Sequence, residues 1–176
     1  MKALLLTREY PPEVYGGAGV HVDYLSRELA RLIPVEVRTF GDQDIRDPRL
    51  VVRGHRFAQT DPEDTPEKFL VALQAIRVCT SFVARPIDAD VVHCHTWYAQ
   101  FGGLVAKILY GIPLVITAHS LEPLRPWIRE QLGRGADLIT DSANRPTARP
   151  PPRPRARGAT TRTGRARGVP ATSPSR

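Results

Sequence analysis

A chain of 176 residues has room for one domain with a full hydrophobic core. Its net charge of +7 is gathered at one end: residues 145–176 hold nine Arg and no acid, which leaves 16 basic against 18 acidic residues in 1–144. A basic nucleic-acid-binding body is thereby not implied, and two cysteines without a C-x-x-C pair point away from a disulfide framework or a zinc ribbon.

The opening run Met1 to Leu6 resembles a signal peptide, but Thr7-Arg8-Glu9 ends it too early for an apolar signal core. No stretch approaches the length needed to span a bilayer. A cytoplasmic protein with no membrane partner is expected, with Cys79 and Cys94 as buried thiols.

In chain order, Lys2 to Thr7 is nearly all apolar, as suits a strand covered on both faces. Residues 8–17 form a Pro/Gly-punctuated loop. From Ala18 to Ile33 a helix is expected, with Val22, Leu25, Leu29 and Leu32 on its buried face. Val35, Val37 and Thr39 alternate with Glu36 and Arg38 in a second strand, and Leu50 to Val52 is a third. A long helix starts near Thr65, with the stripe Phe69, Leu73, Ile76, Thr80 and Val83, and Pro86 stops it. Asp90 to Cys94 reads as a buried strand. Tyr98 to Tyr110 reads as a helix with Phe101, Leu104, Val105 and Ile108 inward and Gly111 closing it. Pro113 to Ala118 is another strand, Trp127 to Leu132 a short helix and Asp137 to Thr140 a last short strand. Strands alternating with helices imply an α/β fold: a Rossmann-like parallel sheet with helices on both sides.

Ligands of open parallel sheets sit at the carboxyl ends of the strands. Three clusters follow strand ends and are expected on one edge: Gly16-Gly17-Ala18-Gly19, His93 to Trp97, and His119-Ser120. Glycines let backbone N–H groups approach a phosphate, and the helix that follows adds its positive dipole end. A tight helix entry without ligand is the alternative. A dinucleotide site is disfavoured, because Val22 replaces the third Gly, the loop is long, and Glu36 sits mid-strand. His93 and His95 share a strand face, but no further ligand stands at a metal-site spacing, so no metal is expected. Trp97 and Tyr98 could stack on a sugar or belong to the core. His119 follows an apolar strand, where it would bond a ligand hydroxyl, with a satisfied core histidine as the alternative. Glu9, Glu13 and Glu122 lie in the same edge loops, as sugar-hydroxyl ligands or as solvated acids.

The segments Leu6 to His21, His93-Cys94-His95-Thr96-Trp97-Tyr98 and Thr117 to Trp127 resemble bacterial glycogen synthases. They are most similar to the branch that uses ADP-glucose to extend glycogen or to make maltose 1-phosphate. The resemblance covers residues 1 to about 133. It implies a retaining GT-B glycosyltransferase with two Rossmann-like lobes, of which 1–133 would be an incomplete N-terminal one. It further implies that Gly16, Gly17 and Gly19 belong to the donor site and that His119 bonds the transferred glucose as the catalytic-site histidine. Glu9, His95, Trp97 and Tyr98 would line the acceptor side of the cleft. A nucleotide-glucose donor and an α-glucan or glucose 1-phosphate acceptor are the implied partners, with no cofactor. Val14 stands where the starch-synthase branch carries Lys. The Arg and Lys that neutralise the departing diphosphate belong to the family's C-terminal lobe, so this chain alone is expected to be inactive.

Residues 134–144 are expected to be a degraded segment. From Arg145 to Arg176 the alphabet shrinks to Arg, Pro, Ala, Thr, Gly and Ser with one Val, from which no core is built. A disordered, frameshift-derived tail is expected, with a polycationic arm as the alternative. Nucleic acid is not the expected partner, because the tail has no aromatic to stack on a base. The alternative for the whole is a non-catalytic sugar-nucleotide- or nucleic-acid-binding fragment.

Overall fold

A computed structural model describes residues 1–56 and 65–119. The expected elements at 127–132 and 137–140, and the segments 134–144 and 145–176, lie outside the described residues. The strands are β1 (Ala3–Leu6), β2 (Val35–Phe40), β3 (Asp44–Arg46), β4 (Leu50–His55), β5 (Val91–His95) and β6 (Leu114–Thr117), and the helices α1 (Gly17–Leu32), α2 (Glu67–Ala84) and α3 (Trp97–Tyr110). They build one sheet in the order β3-β4-β2-β1-β5-β6, parallel except for the β3–β4 pair. This is the expected Rossmann-like arrangement with one antiparallel edge strand added, and β3 was not foreseen.

Both faces of the sheet are covered, which is why β1 is apolar throughout. Leu5 packs with Val22, Val35, Val37 and Val52 on the α1 side. Leu4 and Leu6 pack with Val78, Cys79, Phe82, Val92 and Cys94 on the side of α2 and α3. Both cysteines are buried and free. Among the described residues no helix is long and apolar enough to cross a membrane.

The helix faces agree in part with those expected: Val22, Leu29, Val83, Phe101 and Val105 pack inward. Leu32 is 76% exposed, Phe69 44% and Ile108 65%, while Thr80 lies outside and bonds back to the Ile76 carbonyl. Beside Val83, α2 buries Ala75, Val78, Cys79 and Phe82, and α3 buries Ala99, Gly102, Gly103 and Ala106. Small residues win on α3 because the helix lies against both α2 and β5. A Cβ on Gly103 would collide with Cys94 Sγ and approach Leu114 Cδ1 to 2.7 Å. Close approach selects small side chains, whereas the hydrophobic pattern rewards large ones. Gly111, at φ 64°, closes α3 as expected.

Arg38 was expected to alternate outward on β2, yet only 2% of it is exposed. Its Nε donates to Glu36 Oε1 at 2.9 Å, and its Nη atoms donate to the carbonyls of Phe82, Arg85 (3.2 Å) and Pro86 (2.8 Å). Tyr110 Oη donates to the Val83 carbonyl at 3.0 Å. Together these side chains satisfy carbonyls that the end of α2 leaves without helical partners. Glu36 also lies 3.7 Å from Lys2 Nζ and 3.6 Å from Arg53 Nε. Its carboxylate is thus committed within the fold, which counts against the ribose-binding alternative.

His55, at the end of β4, bonds Ser81 Oγ through Nδ1 at 2.9 Å and meets Phe82 edge to face. Burial, reinforced by the charges of Arg38, Arg85 and Arg53, pushes its pKa from 6.5 down to about 4. As pH falls below 6.5 the unfolded chain takes up this proton first, so stability declines from pH 6.5 to about 4. Urea midpoints measured across that window are expected to fall, and His55→Gln to flatten the decline.

Candidate functional site

The chain order reverses direction between β1 and β5, since β2 lies on one side of β1 and β5 on the other. The crevice at such a switch point is where open α/β sheets hold ligands. The register sets Leu6 beside Cys94, and His95 beside Thr117. The Gly turn after β1, the β5 tip and the β6 tip therefore meet at one edge, as expected.

The loop after β1 is pinned by short polar contacts. Thr7 Oγ1 bridges the Glu9 backbone, and Thr39 Oγ1 donates to the Arg8 carbonyl at 3.3 Å. Tyr10 is buried, with its hydroxyl 2.9 Å from Ser26 Oγ on α1, and Gln43 Nε2 donates to its carbonyl at 3.0 Å. The loop is thereby anchored to the helix it feeds.

Glu9 has a role that the sequence did not disclose. Its Oε2 accepts from the backbone N–H of Tyr15 and of Gly16, both at 3.0 Å. An internal carboxylate holds the turn at the helix mouth, where negative charge is favoured. Gly16 has an extended backbone and caps α1 with no side-chain hydrogen bond. Nothing lies within 4 Å of a Cβ added at Gly16 or Gly17, whereas one at Gly19 would meet Glu9 Cβ at 2.9 Å and Val14 Cγ1 at 3.0 Å. The three glycines thus divide. Gly16 and Gly17 leave open space at the helix entrance, and Gly19 allows α1 to pack on Glu9 and Val14. Gly17→Ala is expected to leave the urea midpoint unchanged or raised, because alanine costs less chain entropy in a helix. Gly19→Ala is expected to lose at least about 1 kcal/mol through overpacking. Equal midpoints for the two variants would refute this division.

His95 is fully buried. Its Nδ1 is 3.1 Å from His119 Nε2, and its ring lies 4.1 Å from that of His93, whose Nε2 meets Thr117 Oγ1 at 2.7 Å. His95 therefore stands behind His119 and does not face an open cleft. Burial, with the neighbouring imidazoles, pushes the pKa of His95 down to about 3 and lowers those of His93 and His119, so all three rings are neutral near pH 7. A neutral imidazole at His119 can donate to, or accept from, a ligand hydroxyl. Sequence spacing offers only His93 and His95 as neighbouring ligands. The fold adds His21 from α1, and ring nitrogens of His21, His95 and His119 lie within 4.8 Å of one another.

Thr96 joins β5 to α3 at φ 65° and ψ 157°, a region nearly reserved for glycine. Its Oγ1, together with His95 Nε2 and Gln100 Oε1, is buried without a hydrogen-bond partner among the described residues. The turn it makes separates its two neighbours. Trp97 is 5% exposed and packs against Ala75 and Phe40, so it backs the site and is not available to stack on a sugar. Tyr98 stacks on Trp97 and lines a cavity of about 550 Å³ with Arg8, Glu13, Tyr15, His55 and Arg56. The Arg8 guanidinium lies 4.0 Å over the Tyr98 ring and has no ion pair among the described residues. Arg56 pairs with Asp42 and, at 3.8 Å, with Glu13. Arg8 and His21 went unnoticed in the sequence. The available signals were the position of Arg8 two residues past β1 and of His21 four residues past Gly17, one turn along α1.

Glycosyltransferase Family 4 matches residues 15–172 of this chain. An alpha-maltose-1-phosphate synthase of Mycolicibacterium smegmatis is 46% identical over 135 residues, which are 77% of this chain and 32% of that protein. A glycogen synthase of Mycobacterium tuberculosis is 29% identical over 163 residues, covering 79% of this chain and 39% of that one. Among solved structures, sucrose-phosphate synthase from Thermosynechococcus elongatus superposes with a TM-score of 0.55 at 14% identity, over 81% of this chain and 40% of that one. The chain spans about a third of the length of the curated relatives it matches.

Proposed function

The chain belongs to glycosyltransferase family 4, and from that membership we propose that it is the acceptor-side lobe of a retaining glucosyltransferase of α-glucan synthesis. Its fold is the Rossmann-like N-terminal lobe of the GT-B type. The donor is ADP-glucose. The N–H groups of the first turn of α1, at Gly17, Ala18 and Gly19, face the diphosphate, since that of Gly16 is bonded to Glu9, and His119 bonds a hydroxyl of the glucose in transfer. Positive charge from a second lobe completes stabilisation of the departing diphosphate, and without that lobe turnover is negligible.

The acceptor is glucose 1-phosphate, a reading deeper than glucan in general. The observation that carries it is the Arg8–Tyr98 cavity on the same edge as His119. Tyr98 has its two faces on Trp97 and Arg8, so the exposed ring of Tyr15 at the same cavity suits the sugar, and an Arg fork without an ion pair suits a phosphate. The name of the mycobacterial maltose-1-phosphate synthases supports the same choice. Extension of a neutral glucan is the second reading, favoured by the similarity to glycogen synthase.

Ligand-observed NMR on the purified chain separates the two. Glucose 1-phosphate is expected to show saturation transfer that Arg8→Ala weakens about tenfold or more, the worth of one charge-assisted contact. Maltotetraose is expected to show none. Binding of maltotetraose with no response to glucose 1-phosphate would replace the first reading by the second.

A further inference from the structure

We propose that His21, His95 and His119 form a binding site for a late first-row divalent cation, zinc being the natural fit, with further coordination positions open to water or a ligand oxygen. Imidazole is a good ligand for such ions, and these three rings come from three separate elements: α1, the tip of β5 and the residue beyond β6. One nitrogen from each lies within 4.8 Å of the others. His95 Nδ1 and His119 Nε2, at 3.1 Å, already stand near the edge of about 3.3 Å that tetrahedral Zn–N bonds require. His21 is exposed on α1, so its side chain can close the remaining distance by rotation.

Two further observations suit a cation. His95 Nε2 is buried without a hydrogen-bond partner among the described residues, so the ring has bonding capacity that the fold does not use. His93, packed on His95 at 4.1 Å with its ring tilted by 38° and itself bonded to Thr117, restricts the buried ligand from behind. The consequence for transfer rests on the reading given above: a cation on His119 occupies the place assigned to the glucose hydroxyl, so zinc and donor exclude each other.

Cobalt(II) titrated into the full chain is the test, with zinc as competitor. Visible ligand-field bands of a four- or five-coordinate ion are expected at one equivalent, bleached by zinc. Because His21 is exposed, His21→Ala should fold as the parent does by circular dichroism and bind cobalt at least tenfold more weakly. Arg31→Ala, exposed in the last turn of α1, should bind as the parent does. Absence of the bands, or equal affinity in His21→Ala, overturns the site. Failure of ADP-glucose to compete with bound cobalt counts against the placement of glucose at His119 and leaves the metal site standing.

Discussion

Replacing Arg38 with alanine is expected to lower the unfolding free energy by about 3–5 kcal/mol, the range for breaking a buried ion pair by removing one partner. The loss has two sources. Glu36 would lose its 2.9 Å partner, keeping only Lys2 and Arg53 at 3.6–3.7 Å. The carbonyls of Phe82, Arg85 and Pro86 would lose their donor at the end of α2, where a cation also opposes the negative end of the helix dipole. Such a loss is a large share of the 5–15 kcal/mol that typically separates folded from unfolded domains. Urea denaturation at constant m-value measures it. Arg38→Lys should recover only part of the stability, since an ammonium keeps the charge but cannot reach several carbonyls with a planar fork. A loss under about 1 kcal/mol in the alanine variant would show that the guanidinium is not what holds α2 to β2.

Thr96→Gly is expected to move stability the other way, raising it by about 1–2 kcal/mol. A β-branched residue in a nearly glycine-only region costs about 1–3 kcal/mol, and a fraction of the gain returns as chain entropy of glycine. Removal of the buried, unpartnered hydroxyl adds to the gain. Thr96→Ala separates the two contributions, because alanine loses the hydroxyl yet keeps the unfavourable φ of 65°. It should show much the smaller gain. The functional consequence is expected to be opposite in sign. Thr96 stands between His95, which backs His119, and the Trp97–Tyr98 stack, which fixes the floor under Arg8. A freer turn lets both sides drift, so glucose 1-phosphate binding should weaken as the urea midpoint rises. A glycine variant that is both less stable and unchanged in binding would refute a strained positioning turn.

Strand and helix positions were legible because they follow from short-range pattern. An apolar β1, the alternation in β2 and the breaks at Pro34, Pro86 and Gly111 depend on residues close in sequence. The faces of α2 and α3 were legible only in part: Val83, Phe101 and Val105 pack inward as the pattern predicts, but the pattern does not say which side chains make the closest contact. The choice fell to Gly102, Gly103, Ala99 and Ala106 once α3 had to fit against Cys79, Phe82 and Cys94. β3 escaped notice because three residues pairing antiparallel with β4 leave almost no periodicity.

For the site, the sequence by itself determined which loops would meet. Parallel strands joined by helices put the turn after β1, the His95 tip and His119 at one edge whatever the side chains do. Only the tertiary structure decided what each residue does there. It set Trp97 inside and Tyr98 in the cavity, gave Gly16 and Gly17 open space and Gly19 a packing duty, and turned Glu9 onto the N–H groups of the turn. It also brought His21 to His95 and His119, across 74 and 98 residues of chain. Local pattern reports burial and period, but distances between side chains on different elements arise only when the sheet and its helices are packed together.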